Sequence, residues 1–160
     1  FAGKFIAYKG LTDDKQVSWL PSYGPEMRGG TASCSVILSD APVGSPIIDK
    51  PDVLIAMNLP SLDKYENATK KGGQIFVDSS LIERKVERDD VETYYIPATR
   101  IASDEGLTGL ANMIMIGHMI AKSGIIPEEN IEKAMQKVVP ATKQNMFDLN
   151  MKAVKLGLEY

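Results

Sequence analysis

The chain has 160 residues, 44% of them hydrophobic and 24% charged, which suits one folded domain with a sizeable core. A formal net charge of −3 without a basic stripe argues against a nucleic-acid binder. The single cysteine, Cys34, permits no internal disulfide or iron–sulfur cluster, since a cluster needs about four ligands, and it suits a reducing cytoplasm. The longest apolar run, Leu110–Ala121, is shorter than the roughly 20 residues that cross a bilayer, so we expect no membrane span.

Hydrophobic periodicity and turn residues together predict an alternation of helices and strands. The predicted elements are, in chain order, a helix over Phe1–Lys9, strands over Gln16–Pro21, Ala32–Ser39 and Asp52–Asn58, a helix over Ser61–Lys71 capped by Ser61, strands over Gln74–Asp78 and Val91–Ile96, and helices over Leu107–Lys122, Glu128–Val138 and Asn145–Leu158. This order indicates an α/β fold with a mostly parallel sheet and a C-terminal helical layer. The continuous apolar run at Asp52–Asn58 predicts a strand buried on both faces.

The loop Ser22–Gly30 is the most informative stretch for function. An arginine beside consecutive glycines suits a phosphate or carboxylate, because guanidinium binds planar anions bidentately and glycine lets a ligand approach the backbone. The candidate binding residues of this loop are Tyr23, Gly24, Glu26, Arg28, Gly29 and Gly30. The alternative is a surface turn with a weak Glu26–Arg28 pair. Neither a Walker A motif nor GxGxxG is present, so the loop alone supports no nucleotide site.

Three other features each allow a functional and a structural interpretation. His118 could carry protons, but its apolar neighbours favour a core or interface histidine. Cys34 lies in a strand of small residues, which favours a buried, inert thiol over a nucleophile. Ser79 and Ser80 follow a predicted strand where α/β sheets bind ligands, although capping a turn explains them better.

The helix Leu107–Lys122 is apolar almost all round and carries several methionines. A packed core explains this composition, and an adaptable docking surface for another subunit is the alternative.

Several segments together resemble the gamma subunit of 2-oxoacid:ferredoxin oxidoreductases. They are WLPSYGPEMRGGTASCSVILSD (Trp19–Asp40), GSPIIDKPDVLIAMN (Gly44–Asn58), SLDKYE (Ser61–Glu66), VDSSLI (Val77–Ile82), YYIPATRIA (Tyr94–Ala102) and LANMIMIG (Leu110–Gly117). Within this family, the wording GPEMRGGTA is closer to 2-oxoglutarate or branched-chain 2-oxoacid enzymes than to pyruvate enzymes. The resemblance implies that residues 1–160 form a single gamma-type catalytic domain with a Rossmann-like, three-layer fold.

The resemblance also implies an activity that is shared among subunits. Such enzymes oxidatively decarboxylate a 2-oxoacid, here best matched by 2-oxoglutarate, transfer the acyl group to coenzyme A and pass electrons to ferredoxin. Thiamine diphosphate, magnesium and iron–sulfur clusters would lie on alpha, beta and ferredoxin-like partner subunits, and this chain alone would bind no cofactor and be inactive. Tyr23, Gly24, Glu26, Arg28, Gly29 and Gly30 would then form its coenzyme A region, with Arg28 contacting phosphate or a partner subunit.

The family begins with a strand and a glycine-rich turn before an AGK sequence, and Ala2-Gly3-Lys4 matches that AGK. We therefore expect the first strand and the glycine turn to be missing from this sequence. Two alternatives to the gamma subunit are a stand-alone Rossmann-type module that binds a nucleotide or acyl-coenzyme A and a small independent enzyme. A homodimer of the isolated chain is a further expectation.

Overall fold

A computed structural model describes residues 1–22 and 33–160 of the chain. Its elements are, in chain order, α1 (Ala2–Thr12), β1 (Gln16–Ser22), β2 (Ser33–Ser39), β3 (Val53–Ala56), α2 (Leu59–Tyr65), β4 (Gln74–Asp78), β5 (Glu92–Ile96), α3 (Ala98–Asp104), α4 (Ala111–Ser123), α5 (Ile131–Val138) and α6 (Gln144–Glu159). A single 3-10 turn, Glu66–Ala68, follows α2. The predicted α/β class is confirmed, and the short helix α3 is an element that periodicity did not predict.

The described residues fall into two compact units, and the assignment of residues 1–160 to one domain stays a prediction. The first unit contains Phe1–Ile48 and Ile125–Met151, and the second contains Asp49–Gly124 and Lys152–Tyr160. None of the helices within residues 1–22 and 33–160 has both the length and the apolar composition that crossing a membrane requires.

In the first unit, α1 packs against an antiparallel β1–β2 pair and against α5. The strand register places Trp19 opposite Val36 and Val17 opposite Leu38. Lys9 of α1 is fully buried and forms an ion pair with Asp13, one helical turn further on. The partner is needed because a buried ammonium group without a counter-charge is energetically costly.

In the second unit, β3, β4 and β5 form a parallel sheet in that order. Helix α4 packs on the face that carries Phe76 and Tyr94, whose rings stack 4.7 Å apart. The other face is covered by α2 and the connection between β4 and β5, and its core cluster contains Ala56, Leu62, Ile75, Val77 and Ile82. The second unit therefore has layers on both faces of a parallel sheet.

Several predicted boundaries are wrong, for local reasons. β3 is an edge strand, so Val53, Leu54 and Ile55 are only half-buried, and the prediction of a strand buried on both faces fails. The cap of α2 is Asn58, whose Oδ1 accepts from the Ser61 backbone N–H at 2.9 Å, and Ser61 itself lies inside the helix.

Two helices begin later in the chain than the pattern indicates. α4 begins at Ala111, after Gly109 adopts a φ of 91° that ends the preceding turn. α5 begins at Ile131, because Asn130 has a left-handed φ of 66° that interrupts a helix from Glu128.

Two glycines allow α4 and the end of α6 to cross at backbone contact. A Cβ on Gly117 would lie 2.1 Å from the carbonyl oxygen of Val154, and a Cβ on Gly157 would lie 2.0 Å from that of Ile114. Only glycine permits this separation, since real Cβ atoms do not approach backbone oxygens so closely. This crossing positions the aromatic surroundings of His118.

Candidate functional site

The carboxyl edge of the parallel sheet places several polar residues together. Strand β4 ends at Asp78 and continues into Ser79 and Ser80, and β5 is followed by Thr99 and Arg100 at the start of α3. The carboxyl ends of parallel strands are the usual ligand-binding edge of an α/β sheet, so a ligand site is expected here first.

Asp78 is a fully buried carboxyl group that joins the segments following β4 and β5. Its Oδ2 accepts from the Thr99 hydroxyl at 2.6 Å, and its Oδ1 accepts from the backbone N–H groups of Ser80 at 3.0 Å and Thr99 at 3.4 Å. These donors compensate the burial of the carboxyl group. Most of the acceptor capacity of the carboxylate is thus used to hold the two segments in place, which leaves little of it for a substrate or metal.

Ser79 and Ser80 serve the same turn. The Ser80 Oγ accepts from the Arg100 backbone N–H at 3.1 Å, while the Ser79 N–H donates to the carbonyl oxygen of Ile96 at 3.0 Å. The capping interpretation of these serines is therefore confirmed for Ser80. Sequence reasoning missed the Asp78–Thr99 hydrogen bonds, although an aspartate that ends a buried strand and a threonine just after the next strand provide the signal.

A second polar network, which sequence reasoning also missed, fastens the connection between β4 and β5 to the segment after β3. Arg84 donates to Asp63 at 2.8 Å and to the buried carboxylate of Glu66 at 3.2 Å. The Glu87 backbone N–H also donates to the Glu66 carboxylate, at 2.8 Å. The two carboxylates raise the pKa of the Arg84 guanidinium above its ordinary value. Since Arg84 stays charged in any case, the network is structural.

His118 lies in the middle of α4 and is only 3% exposed. Its ring meets the rings of Phe76, Tyr94 and Tyr160 edge-on, at centroid distances of 5.9, 6.1 and 5.6 Å. Burial lowers the pKa of the imidazole below its ordinary value, and the backbone interaction with Gly157 only partly offsets this effect. The interpretation as a core histidine is confirmed.

The methionines of α4 belong to the core as well. Met113 and Met115 are completely buried, and Met119 is 4% exposed. The packed-core interpretation of this helix is confirmed for these side chains. The side-chain oxygen of Asn112 has a partner within the same helix, because its Oδ1 accepts from the Met113 backbone N–H at 2.9 Å.

Cys34 is exposed, so the prediction of a buried thiol is wrong. It lies near the start of β2, on the side of the strand that meets the first turn of α1. Its Sγ lies against Gly3 of α1, since a Cβ added to Gly3 would lie 2.3 Å from the Cys34 Sγ. Partial burial raises the pKa of the thiol, which keeps it mostly protonated and weakly nucleophilic at neutral pH.

The binding loop predicted from the sequence lies outside the described residues. It connects β1, which ends at Ser22, with β2, which begins at Ser33. The predicted binding residues in it are Tyr23, Gly24, Glu26, Arg28, Gly29 and Gly30. Their assignment to a coenzyme A region stays a prediction.

Comparison with known proteins decides the family. The sequence model of the pyruvate ferredoxin/flavodoxin oxidoreductase family matches residues 1–160. The chain belongs to this family. Among its relatives, subunit KorC of 2-oxoglutarate synthase from Methanocaldococcus jannaschii is 38% identical over 151 residues, which cover 93% of this chain and 79% of KorC. Subunit VorA of ketoisovalerate oxidoreductase from Methanothermobacter thermautotrophicus is 37% identical over 168 residues, but this chain spans only 35% of VorA.

Solved structures of the family share the fold. The keto/oxoacid ferredoxin oxidoreductase gamma subunit from Geobacter sulfurreducens superposes with a TM-score of 0.81 at 34% identity, covering 99% of this chain and 88% of that one. The 2-oxoglutarate:ferredoxin oxidoreductase from Magnetococcus marinus gives a TM-score of 0.82 at 18% identity, over 28% of its chain, which supports the fold alone. The resemblance to gamma subunits that the sequence indicated is therefore confirmed.

Proposed function

We propose that this chain is the gamma-type component of a multi-subunit, cytoplasmic enzyme that oxidatively decarboxylates a 2-oxoacid to an acyl-coenzyme A and passes the electrons to ferredoxin. The observation that carries the proposal is similarity to the Geobacter gamma subunit across 99% of the chain at 34% identity. In this role the chain completes a site that partner subunits provide and helps the complex to assemble.

The chemistry of the described residues supports such a division of labour. Asp78 is occupied by Thr99 and Ser80, and His118 is enclosed by aromatic rings, so neither is placed as a general base for a solvent-borne substrate. The 160 residues contain one cysteine and one histidine, which does not fit the ligand set of an iron–sulfur cluster. In the proposed complex, clusters and thiamine diphosphate would lie on the alpha, beta and ferredoxin-like subunits.

For the substrate we propose 2-oxoglutarate. KorC, a subunit of a 2-oxoglutarate synthase, is matched over 79% of its length, so the correspondence extends to most of a separate subunit. VorA, a subunit of a ketoisovalerate oxidoreductase, is similar at nearly the same identity, but 65% of its length lies outside the match. A branched-chain 2-oxoacid is therefore the competing substrate.

Purification of the complex tests both parts of the proposal. The full-length protein, tagged in its own cells, is expected to co-purify with subunits that contain thiamine diphosphate and iron–sulfur clusters. The preparation is expected to reduce ferredoxin only when both a 2-oxoacid and coenzyme A are present. Recovery of the chain without such subunits would refute the role, and faster turnover of 2-oxoisovalerate than of 2-oxoglutarate would refute only the substrate.

The loop between β1 and β2 is the proposed contact with coenzyme A, through the guanidinium of Arg28 and the backbone N–H groups of Gly29 and Gly30. Tyr23, Gly24 and Glu26 would shape the loop. Loss of one charged hydrogen bond to a phosphate costs about 1.5–3 kcal/mol, or roughly a 10- to 150-fold change in affinity.

In the assembled complex, Arg28→Ala is therefore expected to raise the KM for coenzyme A by at least tenfold while the KM for the 2-oxoacid stays unchanged. Lys133→Ala, which removes an exposed cation from α5, is the matched control and is expected to leave both constants unchanged. An Arg28→Ala complex with wild-type kinetics shows that the loop does not contact the coenzyme.

A further inference from the structure

A second role for His118 follows from what surrounds it. Two of the rings that enclose the imidazole, those of Phe76 and Tyr94, come from the rigid parallel sheet, and the third belongs to Tyr160, just beyond the end of α6. The histidine thus lies between the sheet and the last turns of α6. The planes of the three rings make angles of 77–86° with the imidazole plane, which is the edge-on arrangement that aromatic pairs prefer.

Beside His118, the backbone of α6 is in direct contact with the backbone of α4. Gly157 lies so close to α4 that a Cβ there would come within 2.7 Å of the His118 backbone nitrogen. The backbones of α4 and α6 therefore touch beside His118, with no room between them even for a Cβ. The sheet cannot move as easily, because its strands are held by a hydrogen-bonded register.

No carboxylate is hydrogen-bonded to the imidazole Nδ1 in the part of the chain that the structure describes. This nitrogen is buried and makes no hydrogen bond there. From β5, Glu92 is occupied by the Tyr94 hydroxyl at 2.8 Å and by Gln74 at 3.2 Å. From β4, Asp78 is occupied by Thr99 and Ser80.

The remaining charges near the imidazole do not favour its protonated form, and the Gly157 backbone, which does favour it, only partly offsets the effect of burial. On α4, the cation of Lys122 opposes protonation of His118. On α6, Lys155 and Glu159 pair with each other at 4.0 Å at exposed positions, and Tyr160 contributes a neutral ring.

We propose that His118 is a protonation-sensitive latch for the end of α6: the neutral imidazole packs Lys152–Tyr160 onto α4, and the imidazolium releases this segment. A buried charge without a partner is costly, and hydration of the imidazolium requires the ring to reach water. Water reaches the ring when the last turns of α6 separate from α4, because the ring of Tyr160 then no longer covers the imidazole. The latch is independent of the proposed enzymatic role.

Hydrogen exchange of the purified complex, followed by mass spectrometry, tests the latch. Amide protection in residues 152–160 is compared at pH 7.5 and pH 5.0, after correction for the intrinsic exchange rates. Opening that exposes a histidine with an ordinary pKa of about 6.5 becomes up to about 30-fold more favourable at pH 5.0. We expect protection of this segment to fall by up to that factor, and protection of residues 74–78 to stay unchanged.

His118→Phe retains an aromatic ring and removes the titration, so protection of residues 152–160 is expected to become independent of pH. The same fall in this variant, no fall in the wild-type protein, or an equal fall in residues 74–78 would each overturn the latch. If the variant does not assemble, exchange of the imidazole C2 proton provides the second measurement in the wild-type complex. This chain has a single histidine, so its signal is unambiguous, and a pKa at or above about 6.5 also overturns the latch.

Discussion

The crossing of α4 and α6 makes a specific prediction for Gly117→Ala. The added methyl group would lie 2.1 Å from the Val154 carbonyl oxygen, 2.9 Å from its carbonyl carbon and 3.1 Å from the Leu158 nitrogen. All three atoms are backbone, so no side chain can rotate away to relieve the contact. The two helices must separate, and separation also loosens the packing of the buried residues beside them, Ile114 and Val154.

The expected magnitude combines two opposing effects. Overpacking a well-packed interior costs about 1–3 kcal/mol and sometimes more, and a backbone contact places this case at the upper end. Alanine gains about 1 kcal/mol over glycine in a helix interior. We therefore expect a net loss of about 2 kcal/mol, which corresponds to a fall in Tm of roughly 4–8 °C for a chain of this size.

Thermal unfolding of the full-length protein, followed by far-ultraviolet circular dichroism, measures this loss. Gly44→Ala is the matched control, since a Cβ there meets no atom within 4 Å and the φ of Gly44 is not left-handed. We expect the control to change Tm by less than about 2 °C, as surface substitutions usually stay within 0.5 kcal/mol. A Tm of Gly117→Ala equal to that of the wild-type protein or of the control would refute the reasoning. Because Gly157→Ala strains the same crossing, the double variant should cost less than the sum of the single variants.

Two further predictions concern the polar networks. Arg84→Met leaves the Glu66 carboxylate, which is only 6% exposed, without its guanidinium, and is expected to lower the free energy of unfolding by about 2 kcal/mol in denaturant titrations. Lys70→Met, which breaks a 3.8 Å pair with exposed side chains, should cost less than about 0.5 kcal/mol, and equal costs for the two variants would contradict the assigned role of Glu66. Asp78→Asn replaces one of two accepting oxygens by a donor that faces the Thr99 hydroxyl and N–H groups, so we expect a loss of about 2 kcal/mol and faster amide exchange at residues 79–82. Asp52→Asn, at an exposed carboxylate, is its control, and unchanged exchange in Asp78→Asn would show that the carboxylate does not hold these segments.

Particular elements show how far sequence reasoning reached. The alternation of apolar strands and helices predicted the α/β class, and strand β4 was predicted with its observed bounds because its residues combine β-branched and aromatic side chains with clear turn signals. Helix α3 was missed because its sequence, ATRIASD, is too short for a helical period to emerge. The prediction of a buried Cys34 was wrong because small neighbouring residues do not indicate how far the rest of the fold covers a strand.

Some features of the candidate sites were accessible from the sequence, and others were not. The family, and with it the proposed loop from Tyr23 to Gly30, was accessible from the sequence, since motifs such as SYGPEMRGG are local. The hydrogen bonds of Asp78 were missed despite the signal of an aspartate and a threonine at successive strand ends, because its partners Ser80 and Thr99 come from different connections. The enclosure of His118 was not accessible either, since Phe76, Tyr94 and Tyr160 come from three elements that are far apart along the chain.

The sequence by itself determined the α/β class, most of the helices and strands and the family, because periodicity, turn residues and motifs are properties of neighbouring residues. Only the tertiary structure decided which polar groups are free to act. Whether Asp78 is available, whether Cys34 is buried and whether His118 can accept a proton all depend on residues that long-range packing brings within a few ångströms. Burial and hydrogen bonding set the cost of a charge at such positions, and both arise only when distant segments meet.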